Sequence, residues 1–401
     1  MKLRISPTMW LGFAMIAGVM GTALISPLYA LYKDAWLLQT SDISFIYVVY
    51  MAGAMFGLLF FGRLSDRLGF RPVMLTGLAL VLIGTIISMA AANLFTLCIG
   101  RVIVGVASSM VTTSATAGMT RLASPEHVQR AAIRSGFLLA LGFGLGPFIG
   151  GLMGQWVAYP LITTYIPPLI FGAIAFVALV KLAPPTPASS VVKKRLSWRD
   201  VLPKLTLPES RDAMAFALTS SLPFLAFGVF GLYASMSPLF LDELLPWHGP
   251  IVSGSAIALI LLISAITQIL MRRIRIHLSG FVGLMMLAAS NALLITNLLY
   301  SSSVLFGLGV LFTAMGHGLC MLAGMSMISR LATAENRSGL LSSYLVIGYF
   351  GSIVPMTLVG WIADHWGMNI ALYIFCTFVI AFSVLAAILF KKYPRMQPIR
   401  T

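Results

Sequence analysis

The chain has 401 residues, 59% of them hydrophobic and only 9% charged, and its mean hydropathy is +0.97. A soluble domain carries roughly 25% charged residues, so this composition excludes a globule covered by water. Apolar stretches recur along the whole length, which excludes a cleaved signal peptide or a single anchor as their explanation. The net charge of +15 falls in small clusters between apolar runs, with no basic helix interleaved with aromatics, and so does not point to nucleic acid.

In chain order, apolar runs fall at about 9–31, 43–62, 72–92, 94–118, 131–153 and 160–181, and resume at about 213–240, 249–271, 278–297, 302–328, 338–362 and 368–390. A bilayer helix needs about 20 apolar residues, so the pattern predicts an all-α polytopic membrane protein of twelve spans. Residues 182–212 read as a linker, with Pro184, Pro185 and Pro187 ahead of Lys193, Lys194 and Arg195. The expected organisation is a six-helix bundle over 1–181, a linker over 182–212 and a second six-helix bundle over 213–401. With both termini on the cytoplasmic side, 24 of the 26 Lys and Arg residues fall on that side, leaving Lys33 outside and Arg101 within a span. So lopsided a split is what the positive-inside rule predicts, and it accounts for the basic charge without a polyanionic partner.

The two halves echo each other. Ser26-Pro27-Leu28-Tyr29 followed by Trp36 returns as Ser237-Pro238-Leu239-Phe240 followed by Trp247, an offset of 211. Arg121-Leu122-Ala123-Ser124 with Glu126 returns as Arg330-Leu331-Ala332-Thr333 with Glu335, an offset of 209. A parallel repeat of six-helix halves is a transporter architecture, with the substrate site near the bilayer midplane between them. Cys98, Cys320 and Cys376 sit inside apolar runs without metal-ligand spacing, as buried thiols do. No metal and no cofactor are expected. No span supplies the paired carboxylates or nucleophile–base set of a membrane enzyme, and a channel has less use for an internal repeat.

Between spans two and three, Gly62-Arg63-Leu64-Ser65-Asp66-Arg67-Leu68-Gly69-Phe70-Arg71-Pro72 is a two-glycine turn with one carboxylate among three guanidiniums. This run resembles the G-x-L-[AS]-D-R-x-G-R-[RK] signature of the major facilitator superfamily, with Phe70 at a position that is usually basic. Arg101 to Ala107 in span four resembles the R-x-x-x-G-x-[AG] motif of that superfamily. In span five, Gly142, Gly146, Pro147, Gly150 and Gly151 follow the G-x-x-x-G-P-x-x-G-G spacing of its drug:proton antiporter branch. The resemblance implies the major facilitator fold of two pseudo-symmetric six-helix bundles and a gating role for Gly62, Asp66, Arg67, Gly69, Arg71 and Arg121, with Arg337 and Ser338 as further partners of Asp66. It also implies a multi-pass protein of a bacterial inner membrane, taken to be monomeric.

In this superfamily the first, fourth, seventh and tenth spans line the cavity. Carried over by span, that points to Tyr29, Tyr32, Arg101, Ser220, Tyr233 and His317. An Arg in hydrocarbon is expensive unless it faces a cavity or a partner; Arg101 is read either as acting in transport or as a residue that snorkels to an interface or is held by neighbouring carbonyls. The eleven acids all fall at interfaces or in loops. The candidates for proton coupling are Asp34, Asp42 and His317, the last being either a proton site or a neutral, hydrogen-bonded cavity residue. A cavity with aromatics, hydroxyls and a positive charge suits anionic or neutral amphiphiles. The expected function is proton-driven export of small organic compounds, such as a drug, toxin or siderophore-like metabolite. Uptake of an organic anion or sugar by the same fold is the alternative.

Overall fold

In a bilayer no water satisfies the backbone, so an apolar segment must pair its N–H and C=O groups within itself. The apolar runs accordingly form helices. The structure, a computed structural model, describes residues 6–181, 202–203, 205–333 and 336–393. Eleven helices among these residues are long and apolar enough to cross a membrane. Numbering the crossings in order, they are α2 (Thr40–Phe61), α3 (Phe70–Met89), α4 (Leu94–Arg121), α5 (Val128–Trp156), α6 (Ile166–Lys181), α7 (Ala213–Leu244), α8 (Pro250–Leu270), α9 (Ile276–Tyr300), α10 (Ser303–Leu331), α11 (Arg337–Trp366) and α12 (Met368–Lys392).

The first crossing departs from the expected single run over 9–31. Helix α1 (Pro7–Met20) begins at Ser6, whose hydroxyl accepts from Met9 N at 3.3 Å, and stops after 14 residues. A 3-10 turn at Ser26–Leu28 and a short helix at Tyr29–Trp36 then complete the crossing. Pro27 has no N–H to continue a helix, and the Thr22 hydroxyl turns back to the carbonyl of Val19 at 2.6 Å. In the second half, Pro238 lies inside the unbroken helix α7. The matched Ser-Pro-Leu-aromatic segments therefore differ in local structure. Helix α5 likewise runs unbroken through Pro147.

Helices α3 and α2 pack on α4 in the first bundle, and α9 packs on α10 and α12 in the second. The bundles meet along two seams, α2 against α11 and α5 against α8. One apolar cluster, around Leu11, Met74, Val111 and Leu179, belongs to the first bundle. A larger cluster crosses between bundles, from Leu24 and Ile43 to Leu232 and Met356. The segment expected as a linker lies outside the described residues except at 202–203 and 205–212; within it, Thr206 O accepts from Ser343 Oγ at 2.8 Å. Asp200 and Glu335 also lie outside the described residues.

Candidate functional site

Between the bundles lies a cavity of about 260 Å³. The broken stretch of the first crossing contributes Thr22, Ala23 and Ser26, and α2 contributes Tyr47, Tyr50, Met51 and Ala54. Helix α4 adds Arg101, Ser108, Ser109 and Thr112, and Phe143 comes from α5. The second bundle closes the space with Phe227, Phe230 and Ala234 of α7, Leu261 of α8, His317 of α10 and Tyr349 of α11. No carboxylate among the described residues lines it.

Arg101 is only 2% exposed. One terminal nitrogen donates to the carbonyl of Thr22 at 2.5 Å, and its Cζ sits 4.5 Å from the centroid of the Tyr50 ring. The break in the first crossing frees backbone carbonyls, and a buried carbonyl without a partner is costly; Arg101 satisfies one. In return the carbonyl and the ring face compensate part of a charge that hydrocarbon penalises. The compensation is incomplete: Nε is buried without a partner. At the offset of 209 the second half has Val310, which donates nothing, and there the helix runs on.

The glycine motif of α5 backs the same break. A Cβ on Gly146 or Gly150 would overlap the carbonyl of Met20 or Leu24, and Gly142 packs on Ile16. Gly151 turns instead to Pro250 and Ile251 of α8, and the carbonyl of Pro147 meets Gly254. The motif thus joins the broken crossing to the α5–α8 seam.

His317 is 8% exposed, with its Nδ1 2.8 Å from Ser264 Oγ and its ring stacked on Phe227 at 6.2 Å between centroids. Of the six expected cavity residues, Arg101 of the first bundle and His317 of the second line the cavity. Tyr29, Tyr32 and Tyr233 are buried outside that lining, with Tyr32 OH bonded to Tyr165 OH at 2.8 Å. Ser220 lines a separate cleft with Phe224 and Phe382. The carry-over by span placed these four in the cavity; the break in the first crossing moves the short helix carrying Tyr29 and Tyr32 beyond it, and α2 and α11 supply wall in their stead. Sequence reasoning missed Tyr47, Tyr50 and Tyr349. The signal available was a pair of tyrosines three apart in one otherwise apolar span.

Asp34 is exposed on the short helix Tyr29–Trp36. Asp42 accepts from Gln39 N at 3.0 Å and completes a capping box at the start of α2. Of the coupling candidates, His317 is the one lining the cavity.

At the end of the molecule away from the start of α1, the bundles are sewn together. Asp364 accepts from Thr40 N at 2.7 Å and Ser41 N at 3.0 Å, Ser44 Oγ donates to Met356 O at 2.6 Å, and Tyr47 OH meets Ser352 Oγ at 2.8 Å. On the other seam, close contacts run from Gln155 against Gly249 to Gly144 against Leu262. At the opposite end, Asp66 pairs with Arg121 of its own bundle at 3.5 Å, both side chains being well exposed (68% and 40%). The bond that crosses to Ser338 there comes from Arg63, at 2.6 Å, so the expected pairing of Asp66 with the other half is not what this arrangement shows. Arg71 holds the last turn of α6 through the carbonyls of Leu179 (3.1 Å) and Val180 (2.9 Å). Gly62 ends α2, Arg67 lies in the short helix Leu64–Leu68, and Gly69 starts α3 at a φ of +85°, a conformation that favours glycine.

The family model of the Major Facilitator Superfamily matches residues 11–309. The chain belongs to the major facilitator superfamily. Quinolone resistance protein NorA of Staphylococcus aureus (strain MRSA252) is 28% identical over 164 residues, which cover 40% of this chain and 40% of NorA. The alignment thus spans about two fifths of that relative's length. This facilitator also shares its fold with a POT family transporter solved in complex with 5-aminolevulinic acid, with a TM-score of 0.75 at 14% identity over 98% of this chain and 96% of that one. A bacterial homologue of the human lysosomal transporter Spinster, solved facing inward and unoccupied, gives a TM-score of 0.68 at 15% identity, covering 96% of each chain. The protein is a multi-pass membrane protein of this superfamily.

Proposed function

We propose that this facilitator exports small aromatic compounds, anionic or neutral amphiphilic, in exchange for protons. The observation that carries the reading is the cavity between the bundles: it is walled by aromatics, holds the buried guanidinium of Arg101, and has no carboxylate among the described residues. A fixed cation in a space of low dielectric attracts an anion far more strongly than it would in water. The likeness to NorA over two fifths of the chain and the antiporter-type spacing of Gly142, Gly146, Pro147, Gly150 and Gly151 support export. His317 is the proposed proton site, since a histidine changes charge near neutral pH. On the positive-inside reading the Asp66 end faces the cytoplasm, and the seam closed by Asp364 is the outer one. Rocking of the bundles then exposes the cavity to each side in turn.

Proton-coupled uptake of an organic anion is a second reading, favoured by the same charge. An anion beside Arg101 would stabilise a proton on His317, and such coupling is reciprocal, so the two would travel together. Inverted vesicles loaded by an imposed pH gradient, with a quinolone carboxylate and simpler aryl acids as probes, test both. Accumulation that collapses with the gradient supports export; accumulation only when proton and anion move the same way supports uptake; no gradient dependence sinks proton coupling.

A further inference from the structure

The bond between His317 and Ser264 has a direction that the neighbouring residues decide. Ser264 Oγ has two partners in the structure, His317 Nδ1 at 2.8 Å and the side-chain nitrogen of Gln268 at 3.4 Å. A carboxamide nitrogen donates and cannot accept, so of these two contacts only Nδ1 can receive the hydroxyl hydrogen. The hydroxyl hydrogen then goes to Nδ1. A neutral imidazole that accepts at Nδ1 carries its own proton on Nε2, and Nε2 makes no hydrogen bond to the described residues and is not sealed off, which leaves it to the cavity that His317 lines.

The packing fixes this arrangement in place. Gly318, next in sequence, lets α10 approach α8 so closely that a Cβ there would stand 2.6 Å from the Ser264 carbonyl. Phe227 covers one face of the ring and Phe230 leans against it at 5.9 Å. Three helices therefore hold the imidazole in one orientation. The titratable groups that share the cavity wall with it are Arg101, Tyr47, Tyr50 and Tyr349, with no carboxylate among the described residues to draw the proton elsewhere.

Three hydroxyls that α4 presents to the cavity are already engaged. Ser108 donates to Gly105 O at 2.7 Å, Ser109 to Ala54 O at 2.6 Å and Thr112 to Ser109 O at 3.1 Å. Their hydrogens are committed to backbone carbonyls. The N–H groups left for a bound molecule are on Arg101 and His317.

We infer that Ser264 and Gln268 are positioning residues that hold His317 as the neutral Nε2–H tautomer, so that a second N–H donor joins Arg101 and the cavity selects molecules with an acceptor-rich group such as a carboxylate or ketone. The selectivity rests on the cavity being the transport site, as proposed above; the tautomer does not. Solid-state nitrogen NMR of the histidine-labelled full chain in lipid bilayers reads the ring directly, with the His317 signals assigned by their loss in His317→Asn. The expected result is a protonated Nε2 and a bare Nδ1 in the wild type, a mixture of tautomers in Ser264→Ala and in Gln268→Leu, and restoration in Ser264→Thr, which keeps the hydroxyl. A wild-type ring protonated on Nδ1 overturns the inference without any variant having to fold, and so does an unchanged ring in folded Ser264→Ala. Because no transport is measured, failure of the export reading in vesicles is a separate outcome.

Discussion

Asp364, at the end of α11, supplies the cap for Thr40 at the start of α2, two residues of opposite bundles joined through a backbone N–H at 2.7 Å. The first N–H groups of a helix have no partner within it, and the positive end of its dipole favours a carboxylate. Gln39 and Asp42 cap each other within α2, while Thr40 N and Ser41 N depend on Asp364. Lys33 donates to the hydroxyl of Thr40 at 3.2 Å, beside the same contact. On the other seam Gln155, at the end of α5 and 209 positions before Asp364, lies against Gly249 at the start of α8. The repeat thus gives two helix-end joins, one charged and one neutral, and both must part for this end to open.

Removing Asp364 should therefore favour the state open at this end. Two hydrogen bonds to a charged acceptor are lost, and exposure reduces their combined worth to about 1 kcal/mol, or about fivefold in the balance between states. The rate at which an impermeant maleimide labels a cysteine placed at the buried Ser44 should rise about fivefold in Asp364→Ala and less in Asp364→Asn, which keeps one acceptor. Equal rates in all three proteins would show that the join does not hold the seam.

The break in the first crossing needs its glycine backing. Gly150→Ala places a methyl group on the carbonyl of Leu24, and overpacking of this kind costs about 1–3 kcal/mol. Gly136 of the same helix has nothing within 4 Å of where a Cβ would stand, so Gly136→Ala should be neutral or stabilise by up to about 1 kcal/mol. Thermal unfolding in one detergent, followed side by side, compares them. Equal midpoints would mean the close approach is not needed.

The crossings and the repeat were legible because bilayer physics writes them as long apolar runs bounded by charge. Arg101 and His317 stood out for a related reason: a polar group inside such a run must have a purpose. The break after Met20 was hidden. Its causes are a proline that the second half carries without breaking, a partner arginine some eighty residues away, and three glycines on α5; only the fold brings them together. Tyr47 and Tyr50 were hidden because a tyrosine in an apolar span reads as core until a neighbouring bundle leaves space beside it.

Asp66→Asn should leave unfolding nearly unchanged, since an exposed pair at 3.5 Å is worth about 0–1 kcal/mol. Transport should nevertheless fall severely if closure of this end requires the carboxylate to meet the other bundle in the alternate state. Wild-type rates of export by this variant in vesicles would reduce the run from Gly62 to Arg71 to a marker of topology.

Orientation is tested by labelling from each side of the membrane. A cysteine at Ser189 should resist impermeant thiol reagents applied to intact cells and react fully in inverted vesicles. The native cysteines Cys98, Cys320 and Cys376 are buried and give little background. Efficient labelling in intact cells would reverse the sidedness assigned to both gates.

Arg101 is expected to serve two masters, the Thr22 carbonyl and the transported anion, and its planar fork is what allows both. Arg101→Lys keeps the charge but offers a single compact ammonium, which either holds the carbonyl or reaches into the cavity. Arg101→Ala leaves the carbonyl unpaired and the cavity without its cation. Hydrogen bonds to charged groups are worth about 1.5–3 kcal/mol, so each lost contact corresponds to roughly ten- to a hundredfold. The lysine variant should fold with near-normal stability yet transport aryl acids at least about tenfold more slowly, while the alanine variant should be both less stable and inactive toward anions. A neutral aryl probe separates the roles: if Arg101 acts on substrate charge, the lysine variant loses anion transport selectively, and if it only pins the broken crossing, both probes slow together. Initial rates in proteoliposomes at matched protein content decide between these, and normal transport of both probes by Arg101→Ala would remove Arg101 from the cycle altogether.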